Sequence, residues 1–135
     1  METIAFDRTV NYASSRSGIQ IEVYLSVHGN PPVRLMAKVD TGATYCIFER
    51  DYADALGIEV EAGRMEHIST ATGSFPVYGH TVVMRCLDWS VETMVYFARS
   101  PEFSRNVLGQ IGWLDHFRIG LVHHDSMMYL SHYDD

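Results

Sequence analysis

The sequence predicts an all-β fold carrying one or two short helices. Three observations point there. Apolar and polar residues alternate with a period of two through most of the chain, as they do in strands with one face on a core. Clusters of turn residues separate the alternating runs, among them His28-Gly29-Asn30-Pro31-Pro32 and His124-Asp125-Ser126. Only two stretches break the alternation with helical spacing. With 135 residues, 47% of them apolar, the chain has the size of one domain. Roughly 65–70% of the unfolded surface can be buried at this length, so the core needs neither disulfide nor structural metal.

The first 18 residues, ending in Ser14-Ser15-Arg16-Ser17-Gly18, read as a peripheral N-terminal arm, which puts the compact domain at 19–135. Ile19 to Val27 alternates over its whole length, and Val33 to Val39 returns beyond the Pro-Pro turn, giving a first hairpin. Glu49 to Leu56 holds helix formers with acids in the first turn, where the helix dipole favours them, and Gly57 follows as a C-terminal cap. Arg64 to Ser69 and Phe75 to Val83 are extended around Thr70-Ala71-Thr72-Gly73-Ser74. Val82, Met84 and Cys86 share one strand face, Asp88-Trp89-Ser90 forms a turn, and Val91 to Ala98 runs back. Ile111, Leu114 and Phe117 stand at helical spacing, which predicts a second short helix over Gly109 to Phe117. Phe117 to His123 and Met127 to Ser131 make a last hairpin.

Charge narrows the partners. Ten basic against seventeen acidic residues leave a net charge of −7, and Lys38 is the only lysine. Nucleic acid and anionic membrane are therefore not expected partners. No run approaches the roughly 18 apolar residues of a membrane span. Met1-Glu2-Thr3-Ile4 lacks a basic patch followed by an apolar stretch, so a cytoplasmic location is expected. Cys46 and Cys86 have no close partner in sequence and read as reduced, buried thiols. The seven histidines include no helical His-x-x-x-His pair, and the adjacent His123 and His124 would face opposite sides of a strand. No metal and no cofactor are expected.

The informative stretch is Ala37-Lys38-Val39-Asp40-Thr41-Gly42-Ala43-Thr44, where an apolar strand runs into a carboxylate flanked by small residues. Burying a lone carboxylate costs several kcal/mol unless it is hydrogen-bonded or protonated. Asp40 is thus either a turn residue, for which Asp-Thr-Gly is good chemistry, or a working group. Val107-Leu108-Gly109, downstream, adds a second element.

The two motifs together resemble those of the retropepsin-like, or retroviral-type, aspartic proteases, in which apolar-Asp-Thr-Gly-Ala is followed by apolar-apolar-Gly and a short helix. The resemblance runs from Ile19 to Leu130. It implies a small closed acid-protease barrel that contributes one catalytic aspartate. It also implies that the chain is an aspartic endopeptidase active as a homodimer on extended peptides. Asp40 would be the catalytic carboxylate, Thr41 would hydrogen-bond across the dimer axis, and Gly42 would let backbone approach the substrate. Ala43 would floor the site, Val107 and Leu108 would line apolar pockets or equally belong to the plain core, and the hairpin carrying Thr72 and Gly73 would be the flap. Many family members place an acid after Asp-Thr-Gly-Ala and an arginine after the downstream glycine. Thr44 and Gln110 stand there instead, so the usual ionic brace of the dimer is missing as a pair. A dimeric binding or assembly module without useful turnover is the alternative that this departure motivates.

Overall fold

The computed structural model describes residues 1–12, 14–15 and 18–133. Residues 13, 16 and 17 of the expected arm, and 134–135 of the expected domain, lie outside these. The strands are β1 (Arg8–Asn11), β2 (Ser14–Ser15), β3 (Gly18–Ser26), β4 (Val33–Val39), β5 (Ile47–Phe48), β6 (Arg64–Thr70), β7 (Gly73–Cys86), β8 (Trp89–Ala98), β9 (Val107–Leu108), β10 (Phe117–Val122) and β11 (Met127–His132). One α-helix, α1 (Arg50–Ala55), and two 3₁₀ turns, Val60–Ala62 and His123–Asp125, interrupt them. The fold is all-β, as the alternation predicts.

Period two becomes a core directly. β3 buries Ile21, Val23 and Leu25, β4 buries Leu35 and Ala37, and β7 buries Val82, Met84 and Cys86. β8 begins in the same way, then buries every residue from Val95 to Ala98, where β5 lies parallel to it on its far edge from β7. The larger sheet has the order β2-β3-β4-β9-β5-β8-β7-β6, and pairing of β3 with β7 closes a ring through β4, β9, β5 and β8. Trp113, Phe48, Phe97 and Phe117 fill the interior. Arg50 holds the outside together there: both its Nη atoms donate to Glu61, at 2.6 and 2.8 Å, and Nη1 also donates to the Arg99 carbonyl. That pairing holds the Glu61 carboxyl down to about 2.

A second sheet of order β1-β11-β10 covers one side. Within the segment read as an arm, β1 pairs with β11 in antiparallel register, and Tyr12 is only 4% exposed in the core. Among the described residues no helix is long and apolar enough to cross a membrane.

Two expectations need correction. The turn between β7 and β8 is Leu87-Asp88 and not Asp88-Trp89-Ser90: Trp89 already pairs with Cys86, and Leu87 takes a positive φ of 56°. A branched apolar residue carries no signal for that conformation. The second helix does not form. Gly109 to Phe117 is a run of turns in which Leu114 and Asp115 donate five residues back, to Gly109 and Gln110. Gly112 breaks the helix. Its φ is +107°, its carbonyl accepts the Thr93 hydroxyl, and its N–H donates to the Asp115 carboxylate.

A Cβ on Gly112 would lie 2.7 Å from the Met94 carbonyl oxygen. Gly112→Ala is expected to lower stability by about 2–4 kcal/mol, read from the urea midpoint, through strain and overpacking together. Gly29 has a similar φ of +88° and open space around it, so Gly29→Ala is expected to cost only about 1 kcal/mol.

Candidate active site

β4 delivers Asp40 at the end of its ladder. The Asp40 N–H donates to the Leu108 carbonyl at 3.0 Å, and its own carbonyl accepts the Ala43 N–H. The side chain closes the turn, Oδ1 accepting the Gly42 N–H at 3.0 Å. Asp40 is therefore a turn residue in the sense its chemistry allows, and only one of its oxygens is occupied by that duty. Asp40 and Ala43 are half-buried, while Thr41, Gly42 and Thr44 are exposed.

The loop is clamped by the second motif. β9 runs between β4 and β5, parallel to the first and antiparallel to the second. Beyond it, the Gln110 and Ile111 N–H groups donate to the Ala43 and Thr44 carbonyls, both at 2.8 Å, and Gln110 Nε2 donates to the Thr41 carbonyl at 2.7 Å. Gln110, which stands where an arginine was expected, thus latches the acid loop within its own chain. Gly109 passes beneath: a Cβ there would lie 2.3 Å from the Tyr45 carbonyl oxygen and 2.8 Å from that of Ala43. Its N–H points at the Cys46 sulfur, 3.4 Å away. Burial pushes the Cys46 thiol up to about 12 and that of Cys86 to about 11, so both stay neutral and unreactive.

A cavity of about 460 Å³ opens beside Asp40. Met36 and Lys38, which precede Asp40 at period two, line it, as do Arg105 and Val107 from the strand that pairs with β4 and the loop leading to it. Gln20, Ser104 and Asn106 complete the wall. Of the residues singled out in the sequence, Asp40 and Val107 meet at this cavity, and Thr41, Gly42 and Ala43 share the loop. Leu108 does not line it. Its side chain is fully buried in the core, and its carbonyl is what serves the site. Thr72 and Gly73 are not among the lining residues; they sit exposed at the tip of the β6–β7 hairpin, where the Thr70 hydroxyl donates to the Gly73 carbonyl. Two pairs below the tip, Ile68 and Phe75 pack against a small cluster of Ile47, Val77 and Tyr96. The sequence alone does not place Lys38, Arg105 and Gln110 here, although strand periodicity puts Lys38 on the face of Asp40; Arg105 stands on the loop before β9.

A family model described as aspartyl protease matches residues 23–110, a span that includes both motifs and the ring strands between them. The chain belongs to the aspartyl protease family. Its fold is similar to that of a retropepsin-like aspartic protease from Rickettsia conorii, with a TM-score of 0.66 at 17% identity over 93% of this chain and 99% of that one. It is also similar to EIAV protease complexed with the inhibitor HBY-793, with a TM-score of 0.53 at 17% identity over 67% of this chain and 80% of that one. The fold of this aspartyl protease is thus retropepsin-like. No curated protein matches the chain.

Because Gly109 has backbone, not side chain, within 2.8 Å of the place a Cβ would occupy, the loop cannot yield locally. Gly109→Ala is expected to cost about 2–4 kcal/mol in urea unfolding and to disorder the Asp40 loop. Loss of amide-exchange protection at Gln110 and Ile111 reads that disorder directly.

Proposed function

We propose that this aspartyl protease is an endopeptidase that works as a twofold homodimer, hydrolysing extended peptides with a water held between the Asp40 carboxylates of the two chains. The observation that carries the reading is the single Asp-Thr-Gly loop, held rigidly from below by β9 and Gln110 while its outer face stays exposed. Gly42 adds to it. A Cβ there would meet only Asp40 Oδ1, at the ordinary distance of 3.4 Å, so the chain itself leaves room above the loop for a second molecule to approach.

One carboxylate does not supply both an acid and a base. Two brought within a few ångströms cannot both ionise cheaply, so the pair holds one proton and titrates as a unit. The ionised member takes a proton from the water as it attacks the peptide carbonyl. The protonated member donates to the oxygen on which charge develops. The turn bond from Gly42 to Oδ1 keeps each carboxylate oriented for this before substrate arrives. In this reading Thr41 lies at the dimer axis, Ala43 forms part of the floor, and the β6–β7 hairpin with Thr72 and Gly73 at its tip closes over the peptide and excludes water. Twofold symmetry requires the exposed loop face to complement itself. Replacement of the ionic brace by neutral Thr44 and Gln110 leaves no unpaired charge at that face, which makes a dimer without the brace physically coherent.

Asp40→Asn is expected to lower kcat/KM for peptide cleavage by about 10³-fold or more while leaving the unfolding midpoint and the sedimentation coefficient unchanged. Retained cleavage would reject the assignment, and loss of folding would favour a purely structural turn. The pH profile of kcat/KM is expected to be bell-shaped with an acidic or mildly acidic optimum, falling when the pair gains its second proton and again when it loses the shared one. Thr44→Asp adds a negative charge near the pair, which favours the proton, and is expected to move the alkaline limb to higher pH.

A further inference from the structure

The cavity beside Asp40 is not the apolar pocket that the family resemblance implies for Val107 and Leu108. Leu108 is withdrawn into the core, and the wall carries two cations, Lys38 and Arg105, against one acid, Asp40 itself. This is unusual for the chain as a whole, whose net charge is −7. Four other arginines, at 8, 34, 50 and 64, each have an acidic partner within 4.0 Å. Among the described residues Lys38 and Arg105 have none, nor do Arg85, Arg99 and Arg118, which lie away from this cavity. The only lysine of the protein and an unpaired arginine therefore converge on the cavity next to the proposed reacting carboxylate.

Their convergence is built by the fold. Lys38 pairs with Val107 in the β4–β9 register, which sets Arg105 near the same strand end. The loop that displays Arg105 is pinned by Asn106: its Oδ1 accepts the Glu49 N–H, its Nδ2 donates to the Glu49 carboxylate, and its carbonyl accepts the Lys38 N–H. The Asn106 side chain is therefore committed to the scaffold, leaving the two cations as the charged groups offered to a ligand. Met36 and Val107 supply apolar wall for the stem of a side chain.

We propose that this cavity is the subsite for an acidic side chain of the peptide substrate, bound by Lys38 and Arg105; the inference rests on the endopeptidase reading and names its substrate class. An aspartate or glutamate side chain entering here exchanges water for charge-assisted hydrogen bonds to both cations, in a space that the rest of the peptide shields from solvent. A leucine would strip water from the same two groups and return nothing. A lysine would meet like charge. With the catalytic pair holding one proton between two chains, the cavity stays net positive, so Asp40 does not cancel the preference.

The test uses a mixed peptide library to locate the cut, then three peptides that differ only in carrying Glu, Leu or Lys at the adjoining residue. Wild-type protein is expected to show kcat/KM about tenfold higher for Glu than for Leu, and lower still for Lys. The Glu to Leu ratio should shrink severalfold at about 1 M salt, where screening reaches about 3 Å. In the double variant Lys38→Glu, Arg105→Glu the order of Glu and Lys should reverse. The ratio is taken within one preparation, so a change in the amount of active enzyme cancels. Should the double variant not fold, Arg105→Gln alone, on an exposed loop position, is expected to lower the Glu to Leu ratio about threefold. Cleavage without acid preference, or a preference that survives charge reversal, overturns the subsite and leaves the endopeptidase reading standing. Binding of the same three peptides to Asp40→Asn, followed by fluorescence anisotropy, separates the two claims. Tighter binding of the Glu peptide with no cleavage by wild-type protein sustains the subsite and rejects the peptidase. Absence of both cleavage and binding preference overturns both.

Discussion

The passage of Gly109 beneath the carbonyls of Ala43 and Tyr45 is the contact on which the rest of this structure depends. A short strand, β9, threads between β4 and β5, and the chain beyond it reaches up to three carbonyls of the acid loop, those of Thr41, Ala43 and Thr44. No side chain fits at the crossing. This close approach explains why a glycine must follow Val107-Leu108, and why two motifs distant in sequence act as one unit. It also explains how Asp40 is held in place with one oxygen bonded and its neighbours exposed. Cys46 fits the same account. A buried, neutral thiol is small enough to sit under the crossing and polar enough to receive the Gly109 N–H.

Charge is arranged around that clamp with economy. The chain is acidic overall, four of its nine arginines are paired with acids, and the two cations of the cavity stand two residues before Asp40 and Val107, Lys38 on β4 and Arg105 on the loop that leads into β9. The loop that carries Asp40 is latched by a neutral group, the side-chain amide of Gln110, and holds a neutral threonine at 44, in place of a charged pair. Neutral hydrogen bonds at the loop cost less to desolvate than an ion pair would, and they leave the field at Asp40 to be set by the groups that face the cavity. In the proposed reading, selectivity for substrate and positioning of the acid fall to different residues, within one patch of backbone.

Most of the architecture was legible because its strands are half-buried: β3, β4, the second half of β7 and the start of β8 alternate so regularly that their core faces can be read from the sequence. The acid motif was legible for a different reason, since a carboxylate between an apolar strand and two small residues has few explanations. What stayed hidden was decided by tertiary contact. Gly112 interrupts a helical spacing because Thr93 and Asp115 take its carbonyl and its N–H, and neither partner announces that locally. Leu87 turns a hairpin at a positive φ that its side chain disfavours. The cationic cavity needed the parallel register of β4 and β9, which brings Lys38 beside Val107; the Val-Leu pair alone fits a pocket wall or plain core equally.

The central claim is that one active centre is made from the Asp40 carboxylates of two chains, and mixing tests it most directly. Wild-type protein and Asp40→Asn are unfolded together, refolded at a fixed total concentration, and assayed as the wild-type fraction is varied. If each centre needs both carboxylates, hybrid dimers are silent and activity follows the square of the wild-type fraction, reaching about one quarter of its full value in an equal mixture. Activity that falls in simple proportion to the wild-type fraction, about one half in that mixture, would mean that each chain works with its own Asp40 and would contradict the account.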